Sequence, residues 1–127
     1  GLWLSGLLWL GVHFGLRDHD NFGLPVISPL EPWCLALHGA FAFLSLGLAG
    51  WLLAAHFPPA WRSHRSRASG LAMVTTFLLL IISGYLLYYA TGDQTRQLVS
   101  LFHWVLGLAA LCPLLWHLLA RHRPPRA

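Results

Sequence analysis

Long apolar runs separated by short polar gaps dominate the chain. They cover residues 2–16, 33–57, 71–90 and 98–119, and each is bounded by charge, proline or glycine. A helix that spans a bilayer needs about 20 predominantly apolar residues, and the last three runs reach that length. The pattern predicts an all-α chain, a transmembrane four-helix bundle that forms one membrane domain over residues 1–127. We expect its helices at approximately 1–16, 33–57, 69–91 and 97–120.

The first run is shorter than the others, and the sequence opens on Gly1, so we expect the natural chain to begin earlier. A secretory signal peptide would also give a short N-terminal apolar run. No basic segment precedes this run and no A-x-A cleavage site follows it. A membrane helix is therefore the favoured interpretation.

Composition and charge agree with a membrane protein. Hydrophobic residues make up 57% of the 127 residues and charged residues 9%, whereas a soluble domain has about 25% charged residues. Membrane lipid is therefore the expected surroundings of this chain.

The charged residues also predict an orientation. In an up-down-up-down bundle most arginines fall on one side, and every acidic residue falls on the other. The arginines of the more basic side are Arg62, Arg65, Arg67, Arg121, Arg123 and Arg126. The positive-inside rule makes their side, and both termini, cytoplasmic. We expect a multi-pass protein of a bacterial inner membrane. Lipid headgroups explain the arginines without a nucleic-acid partner.

Four histidines lie in the second and fourth runs. An ionisable ring in hydrocarbon is costly and by default indicates a functional site. His38 and His56 are 18 residues apart, which returns to one helix face after about 27 Å. His103 and His117 are 14 residues apart, about 21 Å on nearly one face. Because the second and fourth helices run parallel, the sequence predicts an outer pair, His38 with His103, and an inner pair, His56 with His117.

Three interpretations of these histidines stay open. A buried ring can simply bond a neighbouring helix, and zinc or copper also binds imidazole. Zinc, however, needs three or four ligands at one depth, whereas haem iron held by two imidazoles needs two per layer. Small residues share the histidine faces, which suits either a flat macrocycle or tight helix packing. They are Ala42, Ser45, Ala49, Gly107 and Ala110.

The segment FHWVLGLAALCPLLWHLLARHR resembles the ligand helix of four-helix dihaem b-type cytochromes. These include bacterial cytochrome b561-type proteins and the cytochrome b subunits of formate dehydrogenases and hydrogenases. The stretch SGYLLYYATGDQTRQLVSLFHWVLG is similar to small bacterial proteins of that superfamily. The resemblance implies two haem b groups, with His103 and His117 each giving one axial ligand. His38 and His56 match their partners by depth, and His13, near the end of the first helix, is an alternative outer ligand.

Several features of this chain differ from the dihaem cytochrome pattern or limit how a haem could be attached. The 18-residue spacing exceeds the 14-residue spacing by about 6 Å of rise. His56 precedes Pro58 and Pro59, at a helix end where the backbone is less fixed. Pro113 interrupts the fourth helix and bends its axis. No C-x-x-C-H motif is present, so covalent haem attachment is not expected.

The resemblance implies an electron-transfer subunit of an oxidoreductase complex rather than a stand-alone enzyme. Expected partners are a quinone, a periplasmic flavoprotein, cytochrome or iron–sulfur protein, and other subunits of a larger complex or homo-oligomer. A tyrosine cluster near the outer end of the third helix forms either a quinone headgroup site or an interfacial cap; it comprises Tyr85, Tyr88 and Tyr89. The alternative function is a non-redox histidine-containing transporter, or a structural subunit of a membrane complex.

Overall fold

A computed structural model describes residues 1–16, 18–19, 25–26, 28–63 and 67–121. Six helices account for most of the described chain, and β1 (Asp18–His19) pairs antiparallel with β2 (Pro25–Val26). The helices are α1 (Leu2–Gly15), α2 (Glu31–Ala55), α3 (Phe57–Arg62), α4 (Arg67–Tyr89), α5 (Asp93–Ala109) and α6 (Leu111–Arg121). The predicted helical fold class is confirmed.

Three segments of the described chain are long and apolar enough to cross a membrane. They are Glu31–Ala55, Arg67–Tyr89 and Asp93–Ala120, whereas α1 has 14 residues and is shorter. These segments support a multi-pass membrane protein. The four-span count, the up-down-up-down order and the cytoplasmic termini stay predictions. Among the residues used for orientation, Arg65, Arg123 and Arg126 lie outside the described residues.

The chain divides into two compact units, of which the first is Gly1–Ala55. Here α1 and α2 pack against each other as an antiparallel pair. Ser5 near the start of α1 contacts His38, and His13 near its end contacts Glu31 at the start of α2. The contact positions move in opposite directions along the two helices, as antiparallel packing requires.

The second unit, His56–Ala127, is built around α4, which packs against both α5 and α6. Ser83 contacts His103 on α5, and Ser69 contacts His117 on α6. Ser69 and Ser83 are separated by the same 14 residues as the two histidines. The antiparallel register is therefore constant over about 21 Å.

Pro113 accounts for the break between α5 and α6. A proline lacks the N–H that would bond the carbonyl four residues earlier, here that of Ala109. The helix tightens at this point, and the Ala110 amide donates to the Gly107 carbonyl at 3.3 Å. The interruption predicted at Pro113 is present.

The short helix α3 was not predicted, because the sequence analysis extended the second helix through Phe57. In the structure α2 ends at Ala55, and α3 begins directly before two prolines, which suit the first turn of a helix. Arg67 of α4 donates two hydrogen bonds to the Trp61 carbonyl, at 3.0 and 2.7 Å, and its guanidinium lies 4.8 Å from the Trp61 ring. These contacts attach α3 to the start of α4.

Burial is reversed relative to a soluble protein. Large apolar side chains are highly exposed, for example Trp33 at 77% and Phe43 at 78%. The buried polar residues of the described chain are three serines, Ser5, Ser69 and Ser83. An apolar exterior of this kind is compatible with contact to lipid chains.

Candidate functional site

Each of the three buried serines contacts one histidine on a neighbouring helix. Ser5 Oγ lies 3.0 Å from Nδ1 of His38, and Ser83 Oγ lies 2.8 Å from Nδ1 of His103. Ser69 Oγ lies 3.0 Å from Nδ1 of His117. The serines are only 1–3% exposed. Three of the four predicted ligand histidines therefore share one environment.

The serine hydroxyl protons determine which ring nitrogen carries hydrogen. Ser5 donates to the Leu2 carbonyl at 2.8 Å, and Ser83 donates to the Leu79 carbonyl at 2.8 Å. A hydroxyl has a single proton, so with that proton on the carbonyl its oxygen accepts a hydrogen bond from the ring. With the serine oxygen as acceptor, the His38 and His103 rings carry their proton on Nδ1, and the lone pair of the neutral ring lies on Nε2.

Metal-ligating histidines commonly show this arrangement. A ligating imidazole commonly donates its other N–H to a nearby acceptor, which fixes both the tautomer and the ring orientation. Here that acceptor is a serine on the helix that packs alongside. The rings are therefore oriented by protein contacts alone.

A glycine follows each of these serines and lies against the same histidine ring. A Cβ added to Gly6 would lie 3.2 Å from Cε1 of His38, and one added to Gly84 would lie 3.3 Å from Cε1 of His103. At Gly70 the corresponding distance to Cε1 of His117 is 3.7 Å. The missing side chains let the rings lie close to the helix backbone, more closely at Gly6 and Gly84 than at Gly70.

The fourth predicted ligand, His56, lies between α2 and α3 and faces His117. The two ring centroids are 6.4 Å apart, and the ring planes are nearly perpendicular, at 84°. The structure thus brings the predicted inner pair together within the second unit. His38 belongs to the first unit and His103 to the second, so the predicted outer pair stays a prediction.

His13 lies near the end of α1, as predicted, and contacts the start of α2. Its Nδ1 lies 3.1 Å from Oε2 of Glu31, and its ring stacks on Trp9 at 4.6 Å. Eight residues, about 12 Å of helix, separate it from Ser5, where His38 makes its contact. His13 is therefore not level with His38 on the α1–α2 pair. Its role as the alternative outer ligand stays a prediction.

The inner pair offers two imidazoles to one site. His56 and His117 would hold a metal ion between them, and their ring centroids are 6.4 Å apart, which leaves room for one ion bonded to each ring at about 2 Å. Within the described residues, no group of three or more His, Cys, Asp or Glu side chains could hold a metal ion.

The tyrosine cluster lies on α4, with the rings of Tyr85 and Tyr89 4.6 Å apart. Tyr88 is 81% exposed. Nearby, α4 and α5 border a cavity of about 240 Å³ whose lining includes Ser83, Leu86 and Phe102. The same serine therefore contacts both His103 and the cavity.

A sequence signal for these contacts was present but was not used. The dipeptide Ser-Gly occurs three times, at residues 5–6, 69–70 and 83–84. Every occurrence faces a histidine. The last two repeat the 14-residue spacing of His103 and His117, so a search for matched spacings on neighbouring helices would have found them.

No protein-family model, no curated protein and no solved structure matches this chain. The resemblance to dihaem cytochromes therefore has no support from these comparisons. Inference about function depends on the geometry described above.

We predict that Ser83→Ala changes the state of the His103 ring. Without the acceptor oxygen, the proton is no longer fixed on Nδ1, and the lost bond costs about 1 kcal/mol, as for other polar contacts in membranes. Nitrogen-15 NMR of labelled histidine should show Nδ1-protonated His103 in the unaltered protein and mixed tautomers in the variant. Ser100→Ala on α5 is the control and should leave the signals unchanged. An unaltered His103 signal in Ser83→Ala would contradict the tautomer assignment.

Replacing a glycine by alanine should distinguish a glycine that lies close to a histidine ring from one at ordinary contact distance. Replacing glycine in a helix normally stabilises it by about 1 kcal/mol. Gly70→Ala should show this gain, because its new methyl group lies at ordinary contact distance from the His117 ring. Gly84→Ala should not be stabilised in this way, because the His103 ring must move to make room for the new methyl group. Thermal denaturation in detergent would measure both, and equal gains would contradict the predicted difference.

Proposed function

We propose that this chain is the membrane subunit of a dihaem b-type cytochrome that carries electrons across the bilayer. The observation that supports it most strongly is the pair of serine-bonded histidines on α5 and α6. His103 and His117 meet Ser83 and Ser69 of α4 in one register, about 21 Å apart. Two oriented imidazoles separated by most of a bilayer suit two cofactors better than one.

In this proposal each histidine has a defined partner. His103 would bind the outer haem together with His38, and His117 would bind the inner haem together with His56. For His38 and His103 both ring nitrogens matter, since the serine would accept from Nδ1 and the metal would take the lone pair of Nε2. When bound, the two haems would accept and release single electrons, with potentials set by ligands and burial.

The other residues of the helices supply an environment rather than chemistry. Glycines beside the rings leave room for close packing, and the exposed apolar side chains suit a lipid surrounding. A dry surrounding strengthens the serine–histidine hydrogen bonds, because local electrostatic interactions are less screened there. The chain would thus fix ligand geometry before a cofactor binds.

Electron exchange with other molecules belongs to the same proposal. A quinone is one candidate, because the tyrosine cluster and the cavity between α4 and α5 lie near Ser83, the partner of His103. A periplasmic flavoprotein, cytochrome or iron–sulfur protein is the other. This subunit would act within a larger oxidoreductase complex or a homo-oligomer of a bacterial inner membrane.

One observation favours a second candidate function, a non-redox transporter or structural subunit. The pair of His13 and Glu31 joins two titratable side chains at 3.1 Å, and both are partly buried. Such a pair suits proton transfer, and serine–histidine bonds also stabilise helix packing without any cofactor. The two functions differ in whether the purified chain contains haem.

Haem content distinguishes the two functions. The purified protein should show a sharp b-type α-band in its reduced-minus-oxidised spectrum and contain two haems per chain. His103→Ala should disturb one haem, whereas His117→Ala and His56→Ala should both disturb the other. Ser100→Ala should retain both haems. Less than half a haem per chain would refute the proposal, and loss of the same haem in His103→Ala and His56→Ala would refute the pairing.

A further inference from the structure

The four predicted ligand histidines are not equivalent, and His56 is the exception. His38, His103 and His117 are half-buried on helices and are held by buried serines. His56 is exposed, and it lies at the single turn residue between α2 and α3. Among the described residues its ring makes no hydrogen bond, and its ring contact is with His117.

The two sides of the inner pair therefore differ in rigidity. His117 lies within α6, and its Nδ1 is 3.0 Å from the hydroxyl of Ser69, a residue that is 1% exposed. His56 has an ordinary backbone hydrogen bond, since its carbonyl accepts from the Ala60 amide at 3.2 Å. No comparable contact fixes the His56 side chain. Rotation about its side-chain bonds, which is fast for exposed residues, moves the ring away from His117.

The structure also shows what keeps His56 within reach of His117. His56 immediately precedes α3, and α3 is attached to α4 by the two hydrogen bonds from Arg67 to the Trp61 carbonyl. Phe57 stacks on Trp61 at 5.4 Å and adds to this attachment. Since α4 also supplies Ser69, the same helix supports both members of the inner pair. His56 is held through its backbone and His117 through its ring.

We infer that His56 is the displaceable ligand of the inner site, so that this site binds a small exogenous ligand in its place. The inference rests on the proposed function, because it concerns the haem that His117 would hold. The ligand class is a small neutral donor, such as carbon monoxide on reduced iron or free imidazole. One bond from the metal to His56 breaks and one bond to the ligand forms, with no electron or proton transferred.

The serine-bonded histidines give the contrasting expectation. A ring whose orientation is fixed by a buried acceptor pays little entropy when it binds a metal and returns quickly to it. The outer site would be built from two such rings, His38 and His103. It should therefore stay closed to the same ligands. Only at the inner site would a histidine, His56, leave its position for an exogenous ligand.

The test uses the purified full chain with both haems bound and then reduced. Carbon monoxide should change the spectrum of one haem of the two. In His56→Ala the competing ring is absent, so the apparent affinity should rise about tenfold or more, as expected when the open form was a minor population. Free imidazole should restore the original spectrum of His56→Ala. His38→Ala is the matched comparison, and it should add carbon monoxide binding at the other haem.

A second pair of variants changes only the attachment of α3. Arg67→Ala removes the bonds to Trp61 and should raise the apparent affinity for carbon monoxide by about two- to tenfold. Arg62→Ala is the control, because Arg62 lies on α3 and makes no polar contact within the described residues. The apparent carbon monoxide affinity of Arg62→Ala should equal that of the unaltered protein.

The outcomes that overturn the inference differ from those that overturn the proposed function. A protein that purifies without haem refutes the function and the inference together. A protein with two haems that binds no carbon monoxide, or binds it equally at both haems, refutes the inference alone. An apparent carbon monoxide affinity that is unchanged in His56→Ala also refutes the inference alone.

Discussion

The hydrogen bond between a buried serine and a histidine of the neighbouring helix is the interaction on which this structure depends. It satisfies two polar groups that would otherwise be costly in an apolar surrounding. It also sets the register of the helix pairs, since Ser83 with His103 and Ser69 with His117 repeat one alignment. The same contact favours a ring proton on Nδ1, which leaves the lone pair on Nε2. The same serine–histidine hydrogen bond therefore acts on both helix packing and ring orientation.

This dependence explains why α4, which bears none of the predicted ligands, is central to the second unit. It contributes two of the three serines and the glycines that follow them, Gly70 and Gly84, and through Arg67 it supports the segment that carries His56. A substitution on α4 therefore acts on the ligands indirectly, through ring orientation. The first unit repeats the arrangement once, with Ser5 and Gly6 of α1 beside His38.

The length of the apolar runs was sufficient to predict the long helices, because a run of apolar residues between breakers allows few alternatives. The break near Pro113 followed from a missing N–H. The helix α3 was missed because two prolines after a long apolar run indicate an end, and only the contact of Arg67 with Trp61 reveals a new turn of helix. The serine–histidine contacts and the level of His13 depend on how neighbouring helices pack, which single-helix geometry does not determine.

The central proposal is that three histidines bonded to serines, His38, His103 and His117, hold two haems together with His56, two imidazoles to each haem. Low-temperature electron paramagnetic resonance of the oxidised, purified protein tests it most directly, because the signal reports the axial ligands of the iron. We predict two low-spin ferric signals typical of two imidazole ligands, in equal amounts. A protein with no haem iron, or with only high-spin signals, would contradict the account.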